Sequence, residues 1–317
     1  MISRAMSTAL ETRRLPRPSR PRHVPPEALL LGTVLLWSFN FTTTRYGITH
    51  RVHPLVYASL RWMTAGAALG LLATLRGHSL WIGRRDTARV TLATIAGVVL
   101  NQIAFSYSLH LVTASTVALV FGTLPTFVSL MSHLAGHERL HARHWLATAV
   151  SFAGVALVAA GSGSGIGVNA VGILLALATT FSFAVYSVGI VPSMQRHSPL
   201  QVNATSCIIG GLLLGLIAIP WLVAEPWSAP PPLAWGSLLY SSLGSVVVGN
   251  LFWFTAIDRA GAGRSALYAN LQPFLGAVFA VLALSEHLHT LQLVGGVVIA
   301  SGIVLGGRRS LVARRAR

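Results

Sequence analysis

Charge is what this 317-residue sequence has least of. Only 9% of its residues are charged and 53% are hydrophobic, whereas a soluble globular domain carries about 25% charged residues. The formal net charge of +16 would suggest a nucleic-acid partner in a soluble protein, but this balance excludes that class. Acidic side chains are scarcest: Glu27, Asp86, Glu138, Glu225, Asp258 and Glu286 all fall at segment ends or in loops. Lysine is absent, so all 23 basic residues are arginines. One cysteine, Cys207 in an apolar run, leaves no partner for an intramolecular disulfide. Neither a phosphate-binding loop nor a nucleophilic triad nor a redox pair is present. The chain therefore does not read as an enzyme, and it implies no cofactor and no ATP-driven pumping.

What is there is a series of apolar runs. Ten can be drawn, at about 29–48, 54–75, 89–109, 113–135, 144–161, 170–191, 200–222, 233–256, 262–284 and 292–307. Most approach the ~20 residues a helix needs to cross the hydrocarbon. In lipid each backbone group must be bonded within its own segment, so these runs predict an all-α integral membrane protein. Residues 1–27 hold six arginines and five prolines with little apolar content, which predicts a disordered basic arm. Residues 308–317 form a second basic tail. With the N-terminus in the cytoplasm, twenty arginines fall at the termini or in cytoplasmic loops. Arg51 alone lies on the other side, and Arg45 and Arg61 lie within helices. That asymmetry predicts ten spans in the cytoplasmic (inner) membrane with both termini cytoplasmic.

The chain also repeats itself. At an offset of 148, with no gap, Ala114, Leu119, Pro125, Leu134, Glu138, Leu140, His141 and Gly154 meet Ala262, Leu267, Pro273, Leu282, Glu286, Leu288, His289 and Gly302. A repeat of this length has to be read before any fold is proposed. Five spans per half is an odd number, so the second half must enter the membrane from the opposite face. Two inverted five-helix repeats follow, 28–161 and 170–307, joined by a Gly/Ser linker at 162–169. Such repeats are a transporter pattern, with the substrate site near the midplane between them.

Trp37-Ser38-Phe39-Asn40, then Pro54 and Leu60-Arg61-Trp62, resemble the opening of EamA-type transporters of the drug/metabolite transporter superfamily. Asn270-Leu271-Gln272-Pro273, Leu284-Ser285-Glu286-His287-Leu288, Gly295-Gly296 and Gly302 resemble that family's second repeat. Ser38 stands where the family often has glycine. In the first repeat Gly122 and Leu124 replace Asn270 and Gln272. The resemblance implies export of amino acids, other metabolites or amphipathic drugs through a cavity lined mainly by the first, third, fourth, sixth, eighth and ninth helices.

Buried polar residues are the candidates for a substrate pathway, because a polar side chain inside the membrane normally faces the bundle interior. Asn40, Asn101, Gln102, Tyr186, Asn250, Tyr268, Asn270 and Gln272 qualify, and interhelical bonding is the competing use. Asn270 lies about 200° around a helix from Tyr268 and Gln272, so the three cannot all face one ligand. Trp253 and Tyr107 could stack on an aromatic or cationic substrate. Pro125 and Pro273, read as mid-helix, predict hinges or a cavity wall. Arg61 is an intramembrane charge that must be paired or snorkelled. Glu138 and Glu286 are helix-end acids, for gating, capping or plain solvation. Without a mid-helix carboxylate, proton coupling is left to His110 or is absent.

His137-Glu138-Arg139-Leu140-His141 spells H-E-x-x-H, the zinc protease pattern. Its mirror, Ser285-Glu286-His287-Leu288-His289, lacks the first histidine, so a helix-end pattern is what recurs and no metal is expected. Small residues at Ala147, Ser151, Gly154, Gly295 and Gly302 predict close packing of the fifth and tenth helices, with a homodimer contact as one further use. The expectation is a secondary transporter in the lipid bilayer that exports a small-molecule substrate, an amphipathic metabolite such as an amino acid or a drug, by alternating access. Its alternatives are an intramembrane zinc metalloprotease and a non-transporting scaffold. Substrate, direction and coupling ion are not legible in the residues.

Overall fold

The computed structural model describes residues 24–134, 142–162, 166–260 and 268–307, which form helices and short turns without a strand among them. The expected basic arm and tail, the Glu138 segment and the middle of the linker lie largely outside the described residues. Ten helices are numbered here in chain order. The first five are α1 Pro26–Thr49, α2 Pro54–Leu75, α3 Arg84–Leu111, α4 Ala114–Leu134 and α5 Ala142–Gly161. Then come α6 Ile166–Gly189, α7 Pro199–Ala224, α8 at residues 232–260, α9 Gln272–Leu284 and α10 Thr290–Gly307.

Helix starts follow from local chemistry. Proline opens α2 and α7, where its missing N–H costs no bond. Just before them, His53 Nδ1 and Ser198 Oγ accept from the backbone N–H groups of Leu55 and Gln201. Seven helices, α2 to α8, are long and apolar enough to cross a membrane. α9 and α10 are shorter apolar helices. α1 has the length, but its second half carries Asn40, Thr42, Thr43, Thr44 and Arg45. The four uncharged ones are buried against neighbouring helices. Leu71, Leu92, Leu174, Leu216, Leu282 and Val297 point outward, as side chains facing lipid must.

The halves pack through exchanged partners. α2 lies along α7, α5 along α10 and α4 along α9. α1 packs on α8 and α9, and α6 packs on α3 and α4. Glycines set the closest of these contacts. A Cβ on Gly154 would stand 2.8 Å from the Gly295 carbonyl oxygen, and one on Gly302 would stand 3.0 Å from that of Ala147. The small-residue stripe is thus used inside the chain, between α5 and α10.

Three of these helices are irregular. α3 and α8 each contain a π-helical stretch, Ile95–Leu100 and Tyr240–Gly249. α4 breaks at Gly122–Thr123 into Ala114–Phe121 and Leu124–Leu134. The expectation of mid-helix prolines needs correcting here. Pro125 and Pro273 each occupy the second position of a helix that starts after a turn, where ring and fixed φ are tolerated. The interruptions lie just before the prolines, at 122–123 and 270–271.

Candidate functional site

Arg61 projects from the eighth position of α2 and is 5% exposed. Its Nη1 donates to Gln102 Oε1 at 3.0 Å, and its Cζ lies 5.9 Å from the centre of the Phe105 ring. Nε has no hydrogen-bond partner among the described residues. A charge at the centre of a bilayer costs about 2.5–3.5 kcal/mol on insertion scales. A hydrogen bond to a charged group returns about 1.5–3 kcal/mol. Gln102 is oriented in turn: its Nε2 donates to Asn101 Oδ1 at 2.7 Å, and Asn101 Nδ2 donates to the Thr179 carbonyl of α6 at 2.7 Å. Asn101 and Gln102 open the α-helical part of α3 directly after its π stretch, a place where functional residues are often found.

The polar seam continues in two directions. Tyr57 stands one turn before Arg61, on the same face of α2. Its hydroxyl meets Ser237 Oγ of α8 at 3.4 Å. Nearby on α8, Ser241 Oγ donates to Asn40 Oδ1 of α1 at 2.6 Å and lies 3.4 Å from Thr44 Oγ1. On α7, Cys207 packs against α2 at Gly66, with its Sγ 3.7 Å from Asn203 Oδ1. That oxygen accepts from Asn250 Nδ2 of α8 at 3.2 Å. Beside Cys207, Ser206 Oγ accepts from the Tyr186 hydroxyl at 3.2 Å and meets Thr94 Oγ1 at 2.7 Å. Six helices, α1, α2, α3, α6, α7 and α8, contribute to this seam.

The ends of the bundle are tied by charge. Arg45 Nε lies 3.2 Å from Glu286 Oε1, and Arg45 Nη1 donates to the carbonyls of Leu109 and Val112 at the end of α3. The Glu286 carboxylate accepts from the N–H groups of Ala114 and Ser115 at 2.8 and 2.9 Å. An anion at a helix N-terminus and a cation at a C-terminus both complement the helix dipole. Glu286 is therefore a buried cap on α4, its side chain 8% exposed, and not a solvated end. At the opposite end Asp86 accepts from Arg196 Nε at 3.0 Å and lies 2.9 Å from His197 Nε2.

Two cavities lie toward these ends. One, of about 400 Å³, is lined by His53, His110, Trp221 and Glu225 among others. His53 stacks on Trp221, and its N–H donates to Glu225 Oε1 at 3.3 Å. Burial pushes the Glu225 carboxyl above its ordinary range, opposed by the His53 bond. Burial, and then the His110 imidazole, holds His53 below its ordinary value. The other, of about 460 Å³, is lined by Arg85, Arg89, Leu92, Ala93, Val185 and Gly189.

The seam gathers six of the residues singled out in the sequence: Asn40, Arg61, Asn101, Gln102, Tyr186 and Asn250. Others fall elsewhere. Trp253 packs against Trp37 with the ring centres 5.2 Å apart and the planes tilted by 46°, and Trp37 Nε1 donates to the Ser245 carbonyl. Tyr268 packs with Leu29, Leu30 and Ala256. Asn270 sits in the turn before α9, and the Gln272 carbonyl accepts from Ser38 Oγ at 3.1 Å. Glu138 and the H-E-x-x-H string lie outside the described residues, and the mirrored Glu286 serves as a cap. Sequence reasoning missed Tyr57, Asn203 and Gln292. Gln292 is buried and donates to Thr116 Oγ1 at 2.9 Å; its place ten residues before the mirrored Gly302 was the available signal.

The sequence pattern of the EamA-like transporter family matches residues 25–160 and, a second time, residues 170–307. The chain belongs to that family. It is a membrane transporter, and its relatives carry names that agree. It is 27% identical over 289 residues to a probable terminal-alkyne amino-acid exporter of Streptantibioticus cattleyicolor, covering 90% of this chain and 94% of that protein. It is 26% identical over 293 residues to a probable amino-acid metabolite efflux pump of Escherichia coli, covering 87% of this chain and 93% of that one. A solved crystal structure superposes with a TM-score of 0.63 at 22% identity, covering 93% of this transporter and all of that chain. That likeness concerns the fold alone.

Proposed function

We propose that the transporter is a ten-span secondary carrier of the cytoplasmic membrane that exports a small amphipathic metabolite, such as an amino acid. Residues 28–161 and 170–307 are its two repeats, inverted relative to one another, with both termini in the cytoplasm. The exchanged packing of α1 on α8 and α9 against α6 on α3 and α4 supports the inversion. So does the recurrence of a π stretch in α3 and α8. A two-fold relation in the membrane plane requires such matched pairs.

The observation that carries the functional reading is the polar seam. Six helices bring amides, hydroxyls and one guanidinium together inside a bundle whose outer face is apolar, which marks a substrate pathway in a membrane protein. The amino-acid exporters among the relatives support the substrate class. The substrate meets the side chains of Asn40, Arg61, Asn101, Gln102, Tyr186 and Asn250. Trp253, Tyr268, Asn270 and Gln272 belong to the wall around the cytoplasmic mouth. The turns before Pro125 and Pro273 are the points where α4 and α9 flex as access alternates. Glu286 holds one end closed through Arg45.

Purified protein in proteoliposomes tests this reading. Saturable flux of at least one amino acid or amphipathic drug above empty liposomes is the expected result. The absence of flux for every member of such a panel would contradict it.

A further inference from the structure

Two arginines lie within the spans, and they are treated differently. Arg45 has a carboxylate, Glu286, and two helix-end carbonyls. Arg61 is more deeply buried and has no carboxylate within ion-pair distance among the described residues; its neighbours are the Gln102 amide and the Phe105 ring. A guanidinium stays charged under all ordinary conditions and presents five N–H donors in a planar fork. One Arg61 donor is bound by an uncharged amide, and Nε–H, fully shielded from solvent, has no partner among the described residues. Buried charges are ordinarily paired.

We propose that the missing partner is the substrate, and that Arg61 anchors a carboxylate. The inference rests on the exporter reading and narrows it: the transported molecule carries a free carboxylate as well as an apolar body. The fork of Arg61 receives the carboxylate oxygens, the geometry for which arginine surpasses lysine. Gln102, held by Asn101, fixes the plane of the guanidinium from the α3 side. Phe105 offers the apolar body a surface beside it. The same arrangement disfavours amphipathic cations, which would meet a buried like charge.

The test uses the full-length protein in proteoliposomes with the twenty radiolabelled amino acids, their carboxamides as competitors, and tetraphenylphosphonium. At least one amino acid is expected to move, with its carboxamide competing at least tenfold more weakly. Arg61→Gln is expected to lower that flux at least tenfold in protein that remains monodisperse. Arg61→Lys, which keeps charge without the fork, is expected to retain part of it. A carboxamide that competes as well as its acid, or a folded Arg61→Gln within twofold of wild type, overturns the proposal. Should Arg61→Gln fail to fold, the acid-against-amide comparison in the wild-type protein decides alone. Flux of tetraphenylphosphonium without any amino acid leaves the exporter reading standing and removes the carboxylate. Flux of neither removes both.

Discussion

The two halves share a backbone and differ in charge. Arg61 is the eighth residue of α2, and the eighth residue of α7 is Ser206. Gln102 follows the π stretch of α3 and accepts from a guanidinium; Asn250 follows that of α8 and bonds to another amide, Asn203. Meanwhile the π stretches, the turns before Pro125 and Pro273, and the glycine contacts of α5 with α10 occur in both halves. A duplicated bundle has to keep its packing geometry in both copies, because each helix meets the mirror of its partner's surface. Its side chains are free to diverge where they meet something other than protein. Within the polar seam the asymmetry is plain: the first half carries the guanidinium of Arg61, and the second half carries hydroxyls and amides.

That comparison can be broken in several ways, and the largest effect belongs to Gln102. Gln102→Leu removes the one hydrogen-bond acceptor that the buried Arg61 guanidinium has among the described residues. Losing a hydrogen bond to a buried charged group costs about 1.5–3 kcal/mol. Unfolding of the detergent-solubilised protein should show a loss of that size, and little change would mean that Arg61 has other support. Packing variants should instead hurt both halves alike. Gly154→Val and Gly302→Val each push a side chain into the facing backbone and should cost about 1–3 kcal/mol apiece. A large difference between them would contradict the shared backbone.

Smaller still is the neutral pair. Asn250→Ala breaks one bond between uncharged amides and should cost about 0.6 kcal/mol, the mean for such contacts in membranes. A cost matching that of Gln102→Leu would erase the distinction between the halves. The smallest effect concerns pH. Glu225 has a carboxyl pushed above its ordinary value of 4.5 by burial, so its protonated form is favoured in the fold. Its contribution is fully present below that ordinary value and is lost as pH rises through the elevated one. Glu225→Gln should flatten this part of the melting-temperature profile. His53, held low, works with the opposite sign: its contribution is present above the ordinary imidazole value and fades as pH falls.

Much of the helical layout could be read from the residues, because apolar length is a one-dimensional signal. The ten drawn segments match the ten helices to within a few residues at most ends. The π stretches could not be read, since Ile95–Leu100 is as apolar as any regular helix. Nor could the seam be assembled. A helix apolar nearly all round carries no stripe to say which way Tyr57 or Asn203 points, and the link from Arg61 to Gln102 joins residues 41 positions apart. Arg45 and Glu286 were each noticed, but their ion pair spans the two halves and needed the packing of α1 on α9. Hydropathy sets Pro125 and Pro273 mid-helix, because the interruptions at Gly122–Thr123 and at 270–271 leave no trace in it.

The inversion of the halves is the claim on which the rest depends, and site-specific labelling addresses it most directly. In a Cys207→Ala background, which removes the one native thiol, a cysteine is placed at Ser79 between α2 and α3 or at Ser228 between α7 and α8. Both positions are exposed, and their loops correspond in the two repeats. Applied to intact cells, a membrane-impermeant maleimide should modify the Ser228→Cys protein and leave the Ser79→Cys protein unmodified until the membrane is opened. Reaction of both from the same side would contradict the inverted arrangement.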